Sequence, residues 1–163
     1  MASQTQLKKI LIIRLSSFGD ILQCTPAAEL LRTQAPDCEI HWVVRQDSQQ
    51  LLSSQPWLTK LWVLDRKQGL RGLVSLARLL SLERFSHVYD AHNNLRSHLL
   101  QVAMFFFGLR TLFSGPKWLR RSKERWRRFL LFTFSLPTLP KPYRGSQSYL
   151  EPLQKWGVAL SSS

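Results

Sequence analysis

The sequence predicts an α/β fold, a Rossmann-like, doubly wound and mainly parallel sheet with helices on both faces. Short apolar runs rich in β-branched residues alternate with longer segments whose apolar residues recur at helical spacing. This alternation is typical of right-handed βαβ crossovers. The length of 163 residues suits a single domain, and 44% hydrophobic with 20% charged residues is a globular composition.

The first predicted unit is a strand, a tight turn and a helix. Lys9–Leu15 is a short apolar run of the kind that is buried on both faces of a parallel sheet. Ser16–Asp20 interrupts that run. Apolar side chains at helical spacing then indicate a helix: Ile21, Leu22, Ala27, Ala28, Leu30 and Leu31.

The same alternation continues along most of the chain. The further predicted strands are Glu39–Val44, Leu61–Leu64, His87–Tyr89 and Thr111–Phe113. The further predicted helices are a short one around Leu51–Leu52, then Gly72–Leu82 and Leu95–Phe107. We predict a basic loop over about 117–128, an extended stretch containing Pro137, Pro140 and Pro142, and a closing helix over about 147–156.

Charge is distributed unevenly along the chain. The formal net charge is +13 at pH 7, and residues 1–65 contribute none of it because six basic side chains there face six acidic ones. The remaining residues hold seventeen basic side chains against four acidic ones. Such an excess favours nucleic acid, an anionic membrane surface or a phosphorylated substrate as a partner, and charge alone does not distinguish them.

The cysteines and the apolar segments indicate the cellular compartment in which we expect the protein. Cys24 and Cys38 are too few for a disulfide framework or a four-cysteine zinc site, and they lack the spacing of a redox pair. The histidines show no metal-ligand spacing, so no metal is predicted. The longest apolar stretch, Leu99–Phe107, is too short to span a membrane. We expect a cytoplasmic protein that can associate with a membrane surface.

The turn Ser16–Asp20 is the first candidate site, because ligands bind at the carboxyl ends of the strands in a doubly wound sheet. Ser16 and Ser17 offer hydroxyls, and Gly19 permits close backbone approach or a positive φ. Asp20 has two interpretations that both stay open. It caps the helix, or it acts as a general base on an attacking hydroxyl.

Two further clusters follow later strands. Asp90–Ser97 should open onto the same crevice, where Arg96 could pair with a phosphate or a carboxylate. The alternative is that Asn93 or Asn94 caps the next helix. The basic side chains of Arg66, Lys67 and Arg71 follow the third predicted strand.

The opening of the chain resembles that of the lipopolysaccharide heptosyltransferases, which are family 9 glycosyltransferases. The resemblance rests on the residues from Lys9 to Ala28, with Ser16-Ser-Phe-Gly-Asp20 followed by Thr25-Pro-Ala. His41–Val44 and Tyr89–Ser97 resemble two further segments of that family. The similarity covers most of this chain but only the first of the family's two domains.

The resemblance implies the N-terminal, acceptor-binding half of a GT-B architecture over residues 1–163, with the C-terminal donor domain absent from this sequence. It implies transfer of heptose from ADP-heptose, with inversion, to a phosphorylated Kdo–lipid A or inner-core acceptor, and weak or no transfer by this half alone. Asp20 matches the family's catalytic base. The matching acceptor-binding residues are Ser16, Ser17, Gly19, Arg66, Lys67, Arg71, Arg96, Arg120 and Arg121. No cofactor is implied.

Two other functions remain open at this stage. A module without catalysis could bind anionic glycolipid or the inner face of the cytoplasmic membrane through the basic loop, in which Trp118 and Trp126 lie among cations. Binding of single-stranded nucleic acid is less favoured, because the sequence contains no nucleic-acid-binding motif. The sequence carries no signal for an oligomeric state.

Overall fold

A single parallel sheet organises the chain. The computed structural model describes residues 7–109, 115–121 and 146–160. Within them the sheet has five strands in the order β3-β2-β1-β4-β5, and every neighbouring pair is parallel. The strands are β1 (Lys9–Ile13), β2 (Glu39–Arg45), β3 (Lys60–Leu64), β4 (His87–Asp90) and β5 (Lys117–Arg120). The predicted α/β class is confirmed.

Helices cover both faces of the sheet. They are α1 (Phe18–Gln34), α2 (Gly69–Leu82) and α3 (Leu95–Leu109), with short 3-10 helices at Gln46–Leu51 and Arg66–Gln68. The closing helical segment is α-helical at Gln147–Leu150 and 3-10 at Glu151–Trp156. The first four strands, the three long helices and the closing segment lie close to their predicted bounds. The short helix predicted around Leu51–Leu52 begins earlier, at Gln46, and the one at Arg66–Gln68 is not among the predicted elements.

The fifth strand corrects the sequence prediction. Lys117–Arg120 pairs in parallel with β4, where the sequence indicates the start of a basic loop. Leu119 and Trp118 pack on opposite faces of the sheet, while Lys117 and Arg120 are exposed. The charged residues hid an edge strand, because an edge strand tolerates cations that an inner strand does not. The predicted strand Thr111–Phe113, the rest of the basic segment and the three prolines lie outside the described residues.

Alternate residues of β1 enter two different cores. Ile10 and Ile12 pack with α1 and the closing helical segment, and Leu11 and Ile13 pack with α2 and α3. All four side chains are fully buried. Because the strands are parallel, their carboxyl ends meet at one edge of the sheet, and α1 and α3 begin there.

Candidate functional site

A buried cation follows β1. Arg14 is only 5% exposed, and its guanidinium forms an ion pair with Asp20. Nη1 of Arg14 also donates a hydrogen bond to the carbonyl oxygen of Ala91, at 2.9 Å. Arg14 therefore joins the turn after β1 to the loop after β4. The sequence reasoning overlooked it, although a charged residue that directly follows a strand buried on both faces requires a partner.

Asp20 lies in the first turn of α1, three residues after the N-cap residue Ser17. Its Oδ2 accepts hydrogen bonds from the backbone N–H and the Oγ of Ser17, at 3.4 and 2.9 Å. The capping interpretation is therefore confirmed in a changed form, because Ser17 is the N-cap residue and Asp20 is its partner in a capping box. The Asp20 side chain is still 40% exposed at the carboxyl edge of the sheet, so capping leaves it open to a ligand.

Tyr149 brings the closing helical segment into the same site. Its hydroxyl donates a hydrogen bond to Oδ1 of Asp20 at 3.2 Å, across 129 residues of sequence. The guanidinium carbon of Arg121 lies 3.7 Å from the centre of the Tyr149 ring, and that of Arg14 lies 5.7 Å away. The hydroxyl of Tyr89 donates to the Tyr149 carbonyl oxygen at 2.9 Å. No local sequence signal marks Tyr149 for this position.

The surroundings of Asp20 keep its carboxylate charged. Partial burial by itself raises the pKa of Asp20, but the Arg14 guanidinium and the hydrogen bonds from Ser17 and Tyr149 outweigh it, so the pKa lies below its ordinary value. Asp20 is therefore ionised at neutral pH. Its Oδ2 is crowded by Arg14 and Ser17, whereas Oδ1 accepts only the Tyr149 hydroxyl among the described residues.

A second carboxylate shapes the loop after β4. Asp90 is fully buried and accepts hydrogen bonds from the backbone N–H groups of His92 and Asn93 and from Oγ of Ser97, at 3.1, 2.7 and 2.9 Å. The Oδ1 of Asn94 accepts from the Ser97 N–H at 3.0 Å, which confirms the prediction that an asparagine caps α3. Asp90 thus holds the loop in place.

The predicted acceptor-binding cations are spread along the carboxyl edge rather than gathered at Asp20. Arg66 and Lys67 are exposed after β3, and β2 lies between that strand and β1. Arg71 is exposed on α2, and Arg96 is exposed in the first turn of α3. These four exposed side chains do not cover Asp20, so the site is open to solvent in the directions of β3 and β4.

Arg120 and Arg121 are already engaged. Nε of Arg120 lies 3.3 Å from Oδ2 of Asp90, and its Nη2 donates to Gln101. Nη2 of Arg121 donates to Oγ of Ser148 at 2.7 Å while its guanidinium stacks on Tyr149. Of the two, Arg121 lies closer to the partners of Asp20.

The remaining turn residues have plainer surroundings. Ser16 is partly buried, and Gly19 is exposed without a positive φ. A Cβ built on Gly19 would meet no described atom within 4 Å. The positive φ predicted as one alternative for Gly19 is therefore wrong, and no described protein atom requires a glycine there, whereas close approach of a ligand to its backbone stays a prediction.

Neither metal nor thiol chemistry has support in the described part of the chain. No group of three or more His, Cys, Asp and Glu side chains there could hold a metal ion. Cys24 and Cys38 are buried and unpaired, and burial raises the pKa of their thiols to about 12 and about 11. Asp20 is the ionised carboxylate that this site leaves partly exposed.

Comparison with curated proteins identifies relatives of this chain. It is 26% identical over 160 residues to the lipopolysaccharide core heptosyltransferase OpsX of Haemophilus influenzae, across 94% of this chain and 44% of that protein. It is 34% identical over 88 residues to lipopolysaccharide heptosyltransferase 1 of Campylobacter coli, across 54% of this chain and 25% of that protein. No protein-family model matches the chain. The chain resembles the lipopolysaccharide heptosyltransferases.

Solved structures agree on the fold of this heptosyltransferase-like chain. A glycosyl transferase family 9 protein from Veillonella parvula superposes with a TM-score of 0.70 and 24% identity, over 98% of this chain and 44% of that one. The E. coli heptosyltransferase WaaC with ADP superposes with a TM-score of 0.62 and 17% identity, over 90% and 47%. The chain spans less than half the length of each of these proteins. The match is that of one half of a GT-B architecture.

Proposed function

We propose that this chain is the acceptor-binding half of an inverting heptosyltransferase of lipopolysaccharide core biosynthesis, acting at the cytoplasmic face of the inner membrane. Residues 1–163 form its N-terminal domain, and the donor ADP-heptose binds mainly to a second domain outside this sequence. The acceptor is a phosphorylated Kdo–lipid A or inner core. The similarity to OpsX over nearly the whole chain supports the reaction class.

The observation that carries this proposal is the ionised, partly exposed carboxylate of Asp20 at the carboxyl edge of the sheet. Oδ1 of Asp20 accepts a hydrogen bond from the acceptor hydroxyl and takes its proton as the oxygen attacks the anomeric carbon. The new C–O bond forms while the bond to the diphosphate breaks, and ADP leaves. A single carboxylate suits transfer with inversion, since no covalent intermediate is required.

The low pKa of Asp20 limits its strength as a base. Protonation of Asp20 would leave the buried Arg14 cation without its carboxylate partner. Proton transfer therefore occurs late, when bond formation has made the hydroxyl strongly acidic. Arg14 holds the carboxylate in its charged, accepting form before that step.

Acceptor phosphates bind to cations along the carboxyl edge of the sheet. Arg66, Lys67, Arg71 and Arg96 are exposed, while Ser16, Ser17 and Gly19 form the floor of the turn. Arg120 and Arg121 have intramolecular partners, so an acceptor phosphate competes with Asp90 for Arg120 and with Ser148 for Arg121. We expect these two to contribute less to acceptor affinity than Arg66 and Lys67.

A chimera tests the role of Asp20. This chain replaces the aligned segment of the Haemophilus relative, which supplies the rest of its own sequence. Asp20→Asn keeps the shape of the side chain but removes its basicity, and we expect kcat to fall by about 10²–10⁴-fold. Transfer of heptose from ADP-heptose is measured with a Kdo–lipid A acceptor. Undiminished transfer by Asp20→Asn would contradict the proposal.

The matched control is Asp47→Asn, since Asp47 also lies at the carboxyl edge but is exposed and pairs with Arg45 rather than with the buried Arg14. It should leave kcat unchanged. Acceptor binding is measured separately on the isolated chain, where Arg66→Gln with Lys67→Gln should weaken it several-fold and Asp20→Asn should not.

A further inference from the structure

The outer surfaces of α2 and α3 form an unusually apolar face. Nine of the twelve large apolar side chains that are exposed among the described residues belong to these two helices. We call this surface the α2–α3 face, and its apolar members are Leu70, Val74, Leu79, Leu82, Leu95, Leu99, Val102, Phe105 and Phe106. Phe105 and Phe106 are each 63% exposed. The rest of the described surface has no comparable concentration.

The two helices present one continuous surface. They pack against each other along their length. A groove of about 270 Å³ is lined by Leu80 of α2, by Met104 and Phe105 of α3 and by Trp118 of β5. A second, shallower groove brings Leu70 and Val74 of α2 together with Phe107 of α3. Residues from both helices line both grooves.

The charge of this face has one sign. Among residues 69–82 and 95–109 the charged side chains are Arg71, Arg78 and Arg96, with no aspartate or glutamate. All three arginines are exposed, and Arg71 and Arg78 line the second groove. Glu83, at the end of α2, binds Lys9 and Lys60 through its two oxygens. No carboxylate of the two helices therefore opposes an anionic partner.

This combination fits the chemistry of a lipid headgroup region. Leucine and phenylalanine side chains enter the acyl boundary, while arginines on the same surface bind phosphates. An acidic protein would match the arginines but would leave the aromatic side chains in a polar environment. A purely apolar partner would bury the three arginines without counterions.

We propose that the α2–α3 face docks this protein on an anionic phospholipid bilayer. The face begins at the carboxyl edge of the sheet, because α2 follows β3 and α3 follows β4. A bilayer on this face therefore lies beside the turn that carries Asp20. The inference deepens the proposed function, on which it rests only in assuming a lipid-linked acceptor.

Vesicles without any glycolipid separate the two proposals. The chain is mixed with vesicles of phosphatidylglycerol and phosphatidylethanolamine, or of phosphatidylcholine alone, and bound protein is measured by flotation. We expect binding to the anionic vesicles, weakened by salt, and little binding to the neutral ones. If the chain binds anionic vesicles but the chimera transfers no heptose, the docking proposal stands and the proposed function is contradicted. If the chimera transfers heptose but the chain does not bind the vesicles, the proposed function stands and the docking proposal is contradicted.

The apolar contribution is tested by Phe105→Ser with Phe106→Ser. Because both side chains are exposed, we expect the double variant to keep its circular dichroism spectrum and to bind anionic vesicles about tenfold more weakly. The matched control is Leu22→Ser with Val63→Ser, two exposed apolar residues outside the α2–α3 face. Equal binding by the phenylalanine variant and the wild type would overturn the proposal.

The charge contribution is tested by Arg71→Gln with Arg78→Gln. Binding to anionic vesicles should fall several-fold, whereas Lys8→Gln with Lys155→Gln, which makes the same change in net charge elsewhere, should leave it nearly unchanged. Equal losses in the two pairs would overturn the assignment to this face. Light scattering tests the alternative that two copies of the chain associate through this face. If the wild type is a dimer that does not bind vesicles, and Phe105→Ser with Phe106→Ser makes it a monomer, the face is a self-association surface and the proposal is overturned.

Discussion

The two edges of the sheet use ion pairs in different ways. At the amino edge, Glu83 lies between Lys9 and Lys60, and Glu39 also pairs with Lys9, so two carboxylates link the starts of β1, β2 and β3. At the carboxyl edge, Asp20 and Asp90 each bind one arginine together with hydrogen-bond donors from a turn or a loop. The amino edge joins strands to one another, whereas the carboxyl edge holds loops in shape around an exposed carboxylate.

The two edges differ in how completely the carboxylate oxygens are occupied by their partners. The pKa of Glu83 is lowered to about 2, mainly by hydrogen bonds from Lys60 and Lys9, and these side chains satisfy one another. Asp20 also has a lowered pKa, yet its Oδ1 retains capacity to accept a hydrogen bond from a ligand. Comparable electrostatics therefore leave the carboxylate at the amino edge fully paired and the one at the carboxyl edge with an oxygen open to a further donor.

The largest expected difference between the edges comes from removing Asp90. Asp90→Ala leaves two backbone N–H groups, Ser97 and Arg120 without their acceptor, and Asp90 is fully buried. We expect the free energy of unfolding to fall by about 3 kcal/mol or more. Urea denaturation monitored by tryptophan fluorescence measures this loss.

Glu83→Ala is the comparison at the amino edge. The Glu83 side chain is partly exposed to solvent. Losing its ion pairs with Lys9 and Lys60 should therefore lower the free energy of unfolding by about 1 kcal/mol or less. A larger loss for Glu83→Ala than for Asp90→Ala would show that the amino edge, and not the buried loop anchor, dominates stability.

A smaller effect concerns acid sensitivity at the amino edge. Burial, and then Lys117, lower the pKa of His87, whose Nε2 is buried with no hydrogen-bond partner among the described residues. His87 is therefore neutral in the folded state and takes up a proton more readily when unfolded. Its contribution to stability is complete above about pH 6.5 and is lost as the pH falls below that value.

His87→Gln should flatten this dependence. The free energy of unfolding is measured between pH 7.5 and pH 5 for the wild type and the variant. His41, whose pKa is lowered by burial and by Lys9, accounts for part of the remaining slope, so His41→Gln with His87→Gln should be flatter still. An unchanged slope in the double variant would contradict this account of the amino edge.

The smallest expected effect sharpens the description of the carboxyl edge. Tyr149→Phe removes one hydrogen bond from Oδ1 of Asp20 and leaves Arg14 and Ser17 in place. The pKa of Asp20 should rise toward its ordinary value, as measured by carbon-13 NMR titration of the carboxyl group. Tyr89→Phe is the control, because the Tyr89 hydroxyl contacts the Tyr149 carbonyl and not Asp20. Equal shifts in the two variants would show that Tyr149 acts through packing alone.

Local patterns in the sequence are sufficient to predict the α/β class and the position of the turn with Asp20. The continuous apolar run in Lys9–Leu15 and the helical spacing after it are local patterns that predict a buried strand and a helix, and the parallel order places the carboxyl ends at one edge. Charges in the basic segment obscured β5, since the pairing of Lys117–Arg120 with β4 depends on Leu119 entering the core.

The groups that surround Asp20 are brought there by tertiary contacts between distant parts of the chain. Arg14 faces it because β1 ends beside the turn, and Tyr149 reaches it from the other end of the chain because the closing helical segment packs against α1. The pKa of Asp20 depends on these contacts and on partial burial, and neither is a local property of the sequence. The α2–α3 face likewise emerged only when packing showed which apolar side chains stay outside the core. Local periodicity specifies elements, whereas the distances between distant residues, which set the chemistry, exist only after folding.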